Sequence, residues 1–162
     1  MQIDTTLLPV RGSDAVEILR NDHQVIKSLL NELTITGPQE RRRTLDQLVG
    51  VLTIHNATEE NLVYPAINKL ASSKLESQHL YHETAEADVL VFELDALLKA
   101  GDVSQFGVKA EKLQEAVLAH IDEEESKALT RLLEIGDPQK VEELTESIRA
   151  FRKSLHFDTA AA

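Results

Sequence analysis

The sequence predicts an all-α protein: an up-down-up-down antiparallel four-helix bundle with a short fifth helix at its C-terminal end. Three observations predict it. Apolar residues recur at alternating spacings of three and four along every long segment, the period of one helix face and not of a strand. Breakers cut the chain into helix-length pieces, at Gly12 and Ser13, Gly37 and Pro38, Ser72 and Ser73, Gly101 and Asp102, and Gly136 to Pro138. The composition, 42% hydrophobic but only 4% aromatic in 162 residues, suits one domain with a leucine and valine interior.

Residues 1–13 read as an N-terminal arm, 14–156 as the bundle with its fifth helix, and 157–162 as a frayed tail. Asp14 with Glu17 resembles a capping box that opens the first helix, on which Val16, Leu19, His23, Ile26, Leu30 and Leu33 share one face. The second helix places Leu45, Leu48, Leu52, His55, Glu59, Leu62 and Ala66 on a seam, with Arg41, Arg42 and Arg43 as its solvated start. In the third, Leu75, His79, His82, Glu86 and Val89 follow the same rhythm, and in the fourth Leu113, Val117, His120, Glu124 and Ala128 do. Asp137 and Pro138 start the fifth helix, whose Val141, Leu144, Ile148 and Phe151 form a stripe that covers the bundle's own end. Short connections make neighbouring helices antiparallel.

A net charge of −11 argues against nucleic acid or an anionic membrane as a partner, because both attract basic surfaces. The chain has no cysteine, which excludes disulfides, iron-sulfur clusters and thiolate metal sites, so a bound metal must use nitrogen and oxygen donors. With neither a basic leader nor a membrane-spanning stretch in the sequence, a cytoplasmic protein is expected.

Polar residues on otherwise apolar seams are costly unless paired or ligated. At about 1.5 Å rise per residue, His55 with Glu59, His82 with Glu86, and His120 with Glu124 fall roughly 20 to 30 Å from one end of the bundle, and His23 comes near the same level. Each pair is His-x-x-x-Glu, which puts an imidazole and a carboxylate one turn apart on one face. One such pair is weak evidence, since a single buried histidine is more often a hydrogen-bonded core residue. Three pairs and a fourth histidine converging on one level exceed the needs of one tetrahedral ion and suit two ions of higher coordination. The metal-ligand candidates are therefore His23, His55, Glu59, His82, Glu86, His120 and Glu124. For the third helix, His82 ranks first, Glu86 second and His79 third. Tyr64 reads as packing, and Tyr81 points off the seam.

Asp22 with His23, the stretch from His55 to Pro65, and the Glu-rich run from His120 to Glu124 resemble the hemerythrin-like, or HHE cation-binding, family. The resemblance covers the first four helices. It implies that His23, His55, Glu59, His120 and Glu124 are iron ligands, with Glu59 and Glu124 as bridging carboxylates. It also implies two non-haem Fe ions, with an oxo or hydroxo bridge, and a small ligand such as O2, NO or peroxide that is bound or sensed in a monomer or homodimer. Hemerythrins carry His-x-x-x-His on the third helix, whereas this chain has His82 followed by Glu86, a change that adds negative charge and gives weight to oxidative or sensing chemistry over reversible oxygen binding.

The alternative is turnover by the same iron pair as a di-iron oxidoreductase, in peroxide or NO detoxification or in ferroxidase and iron handling. A third class, a partner-binding bundle, has only the fifth-helix stripe in its favour. A ferritin-like centre would need repeated Glu-x-x-His, which only Glu76 with His79 supplies, and a zinc protease would need His-Glu-x-x-His, which is absent.

Overall fold

A computed structural model of the chain describes residues 5–71, 75–135 and 137–155. The expected breaks at Ser72, Ser73 and Gly136, His156 and the tail from 157 lie outside the described residues. Helix α1 spans Ala15–Ile35, α2 Arg41–Thr58, α3 Tyr64–Ala71, α4 Leu75–Ala100, α5 Val103–Glu123, α6 Leu129–Ile135 and α7 Pro138–Leu155. Single π-helical turns, Glu59–Val63 and Glu124–Ala128, join α2 to α3 and α5 to α6 without a break. The described residues thus form four long rods and the fifth helix, with no strand. The rods close into a ring, α1 against α2, α2 against α4, α4 against α5, and α5 against α1.

Caps set the helix starts. Asp14 accepts the Glu17 N–H at 2.9 Å, while the Glu17 carboxylate accepts the Ser13 N–H at 2.7 Å, one residue earlier than in the expected capping box. Asp102 accepts the Gln105 N–H at 2.9 Å to open α5. Arg41 and Arg42 do more than solvate the start of α2. The Arg41 guanidinium lies over the Phe106 ring at 4.6 Å, and Arg42 pairs with Asp95 of α4 at 2.7 Å. The described part of the arm is docked rather than free, with Leu8 buried in the core.

Gly12 precedes α1 at φ +136°, where a Cβ would come within 2.6 Å of the Ile18 backbone nitrogen. Gly12→Ala is therefore expected to cost about 1–3 kcal/mol, read as a lower urea midpoint at unchanged slope.

The interior consists of two apolar clusters. One holds Ile26, Leu30 and Leu33 of α1, Leu45 to Ile54 of α2, Leu94 of α4, and Phe106 to Ile121 of α5. The other holds Val16 and Leu19 of α1, Val63, Tyr64 and Ile67 around α3, Leu80 of α4, Leu129 and Leu132 of α6, and Leu144 and Ile148 of α7. On each rod the seam passes from one cluster to the other through polar residues: Asp22 and His23 on α1, His55 to Glu59 on α2, Thr84 on α4, and His120 with Glu124 on α5. A polar layer thus crosses the bundle between two apolar halves.

The α1 seam lies where the spacing places it, with all six residues buried. On the second and fourth rods the seam runs as expected to Glu59 and Glu124 and then changes phase. Each π turn inserts one residue into the helical repeat, so burial passes to Val63, Tyr64 and Ile67, and to Leu129 and Leu132, in place of Leu62, Ala66 and Ala128. On α4 the expected seam is displaced. Leu80, Thr84, Ala87 and Leu94 are buried, whereas His82 and Val89 face solvent. Among the described residues no helix is long and apolar enough to cross a membrane.

Candidate metal centre

His23 of α1, His55 of α2, and Glu59 and Glu124 at the first positions of the two π turns are all buried. One ligand atom from each lies within 4.8 Å of all the others. The His55 Nε2 is 2.9 Å from Glu59 Oε1, the His23 Nε2 is 3.2 Å from Glu124 Oε2, and the two imidazole rings meet edge to face at 4.9 Å. π turns are frequent at functional sites because the extra residue re-aims a side chain. Here each begins at its glutamate, and the extra residue re-aims the side chains that follow, Tyr64 among them.

Every imidazole of the layer is braced by a carboxylate through Nδ1. His23 Nδ1 lies 2.8 Å from Glu125 Oε1, His120 Nδ1 lies 2.9 Å from Glu83 Oε2, and His55 Nδ1 lies 3.4 Å from Asp22 Oδ2. With Nδ1 held by these outer carboxylates, the Nε2 of His23 and of His55 points into the cluster, the orientation that a metal-binding histidine needs. Tyr64, expected as packing, is buried and also donates its hydroxyl to Glu59 Oε2 at 3.0 Å. Burial and the charges of Glu59 and Glu124 push its phenol far above the ordinary range, so it remains a donor.

The electrostatics express crowding of like groups. Burial raises the Glu124 carboxyl to about 7, with the charge of Glu59 adding to the effect. Burial alone would lower His23 and His55, but the facing carboxylates of Glu124 and Glu59 raise His23 to about 9, and the charge of Glu59 with the facing carboxylate of Asp22 raises His55 to about 10. Burial opposes ionisation of Glu59 too, but the two imidazoles outweigh it and hold this carboxyl well below its usual range. With no metal bound, the cluster therefore holds its charge balance with protons.

The donor set fits a cation. His23 Nε2, His55 Nε2, Glu59 Oε1 and both Glu124 carboxylate oxygens are buried without a hydrogen-bond partner. Buried polar atoms are rarely left so, and these point at one another. Two imidazole nitrogens and two carboxylates, without a thiolate, are donors that iron and manganese accept. Beside them a cavity of about 20 Å³ is lined by His55, Asn56, Glu83, Thr84 and His120 among apolar side chains. That is room for one water-sized species.

His120 also lines this cavity but stands outside the four-residue cluster. His82 and Glu86 do not enter the layer. Their side chains are 71% and 62% exposed and pair with each other at 3.2 Å on the outer face of α4. The residue that α4 does contribute is Glu83, which the sequence reading passed over. His79, 57% exposed, is 3.0 Å from Glu83 Oε1, so Glu83 links His120 to the surface. The spacing of His79 and Glu83 is also His-x-x-x-Glu, and taken with Leu80, Thr84 and Ala87 it marks the inward face. Glu125, Asp22 and Arg152 complete the surroundings, and neither Glu125 nor Arg152 carries a signal in the sequence beyond charge.

A four-helix bundle whose mid-layer buries such a His/Glu cluster, with each imidazole braced by a carboxylate, belongs to the class of helical bundles built to hold cations within their core. The comparisons narrow this class. The hemerythrin HHE cation binding domain model matches residues 14–132, and the chain belongs to that family. The crystal structure of a hemerythrin HHE cation binding domain-containing protein from Mycobacterium kansasii shares the fold, with a TM-score of 0.76 and 24% identity, covering 89% of this chain and 88% of that one. No curated protein matches.

Proposed function

We propose that the chain binds two non-haem iron ions in its polar mid-layer and there binds or senses a small ligand, O2, NO or peroxide. The observation that carries this reading is the set of buried donor atoms left without partners at His23, His55, Glu59 and Glu124. His23, His55, His120, Glu59 and Glu124 would hold the ions. On α4 the layer is met by Glu83 and not by His82, and Glu83 braces His120. Iron held there supplies electrons and an open position for the ligand.

The protein's own groups do the rest. Glu125, Asp22 and Glu83 fix the imidazoles, and Tyr64 orients Glu59. The two apolar halves keep bulk water from the layer, and the cavity of about 20 Å³ limits what can approach. The series of close contacts from His120 through Glu83 to His79 reaches solvent, and it favours turnover as a second reading, because peroxide or NO reduction consumes protons.

Protein made in iron-replete cells and purified without chelator is expected to carry about two irons per chain, the count its donor set supports. Its ultraviolet spectrum is expected to change on exposure of the reduced protein to oxygen. Iron-free protein from such cells would overturn the proposal. Steady peroxide consumption by the iron-loaded protein selects turnover over binding.

A further inference from the structure

The family match ends at residue 132, yet the surroundings of the cluster do not. Arg152, on α7, is 2% exposed and directs its guanidinium into the bundle. Its Nη1 donates to Asp22 Oδ1 at 3.0 Å, its Nη2 to Asp22 Oδ2, and its Nε to Thr58 Oγ1 at 3.1 Å. Asp22 Oδ2 in turn faces His55 Nδ1, and Thr58 immediately precedes the π turn that carries Glu59.

We propose that Arg152 is a positioning residue for the metal centre, acting through Asp22 on His55 and through Thr58 on the turn that presents Glu59. The inference rests on the metal-binding reading above.

The three braced imidazoles show why a cation is needed at this one. The carboxylates behind His23 and His120 are partly open to water, Glu125 being 27% and Glu83 20% exposed. Solvent supports their charge. Asp22 is 1% exposed, and a buried carboxylate without a partner cation is strongly disfavoured. The planar fork of arginine meets both Asp22 oxygens and still has a third donor for Thr58, which the single ammonium of lysine cannot reproduce.

Stability alone does not account for the arrangement, since a buried ion pair adds little over a well-packed apolar pair. Nor does α7 depend on Arg152 for docking. Leu144 and Ile148 sit in the core, Thr145 Oγ1 accepts the Ala15 N–H at 2.9 Å, and Arg149 donates to the Gly12 and Ser13 carbonyls at 3.2 Å. The fifth helix thus has a docking face and, separately, one side chain directed at the centre.

The test compares the wild-type chain with Arg152→Met, Arg152→Lys and Ile148→Ala, each loaded with ferrous iron, oxidised, and exposed to a chelator while release is followed by absorbance. Wild type is expected to release its irons slowly. Arg152→Met is expected to release iron about 10- to 100-fold faster, the loss typical of removing an outer support of a ligand. Arg152→Lys, which keeps the charge but not the fork, should fall between the two. Ile148→Ala weakens the docking of α7 but leaves Arg152, and its release is expected to stay at the wild-type rate even where its melting temperature drops.

Wild-type release from Arg152→Met overturns the assignment, as does equal acceleration in Ile148→Ala, which would mean that any loosening of α7 suffices. If Arg152→Met does not fold, the rates of Arg152→Lys and Ile148→Ala decide on the same terms. Absence of iron from the wild type overturns the metal-binding reading and this inference together, whereas a loaded wild type with an unaffected Arg152→Met overturns the inference alone.

Discussion

His55→Ala is expected to abolish stable binding of at least one iron per chain, while His82→Ala leaves iron content and spectrum at wild-type values. The two substitutions are chemically the same, and both histidines head a His-x-x-x-Glu pair. Only their surroundings differ. His55 is buried, its Nε2 has no hydrogen-bond partner, and its Nδ1 is braced by an aspartate that is itself held by Arg152. The His82 side chain is 71% exposed and has one partner, Glu86, in the solvent-screened i,i+4 arrangement worth about 0.3–0.5 kcal/mol. Loss of one of so few imidazoles at a site built from two nitrogens and two carboxylates removes a primary donor, an effect far larger than the 10- to 100-fold typical of outer supports. Metal analysis of the two variants, purified side by side, checks the prediction. A His82→Ala protein that loses iron as His55→Ala does would return α4 to the seam that the sequence indicates. His120→Ala provides the third comparison, since equal loss there would place the second ion beside the small cavity that His120 lines.

How far the sequence could be read follows from how each rod encodes its burial. Helix α1 is legible throughout, because Val16, Leu19, Ile26, Leu30 and Leu33 frame His23 with an unbroken apolar rhythm. The second and fourth rods are legible up to their glutamates. Beyond them a π turn adds one residue, and a periodicity argument that assumes 3.6 residues per turn selects the wrong neighbours, Leu62 and Ala128 instead of Val63 and Leu129. The same insertion brings Tyr64 inside and gives it a role that its place in the expected pattern conceals. Helix α4 was ambiguous for another reason. Two overlapping His-x-x-x-Glu pairs lie three residues apart, and the inward face is marked by Thr84 and Ala87, neither of which announces burial. Arg152 was invisible for the opposite reason, because a charge on the rim of an amphipathic helix is nearly always solvated. What one helix repeat determines could be read, but what depends on an insertion or on a contact between distant rods could not.

Stripping the metal is expected to reverse the pH dependence of stability, and the charge states of the cluster fix the sign. In the metal-free fold His23 and His55 are raised to about 9 and about 10, whereas in the unfolded chain they return to the ordinary value near 6.5. A raised folded value means that the native state holds more protons. The contribution is fully present below about pH 6.5 and is lost as pH rises through 9 to 10. Glu124, raised to about 7 from the ordinary value of 4.5, acts in the same direction over its lower window, its contribution fading as pH climbs through 7. Glu59 is lowered and acts oppositely, its contribution present above 4.5 and lost only as pH falls below that value, so it does not alter the alkaline branch. The metal-free protein should therefore lose stability steadily between about pH 6.5 and 10, on the order of several kcal/mol, or roughly 10 °C in melting temperature for a chain of this size. With metal bound the sign changes. The imidazoles must be deprotonated to ligate, so protons compete with the ion, and its affinity rises with pH over the same interval. At an ion concentration of about 1,000 times the dissociation constant the bound form gains about 4 kcal/mol, so the melting curves of the two forms should diverge as pH increases. Parallel melting scans of stripped and iron-loaded protein between pH 6 and 9 test this directly. Metal-free protein whose melting temperature is flat or rising across that range would show that His23 and His55 are neutral before any ion arrives, and that the cluster is held together by something other than shared protons.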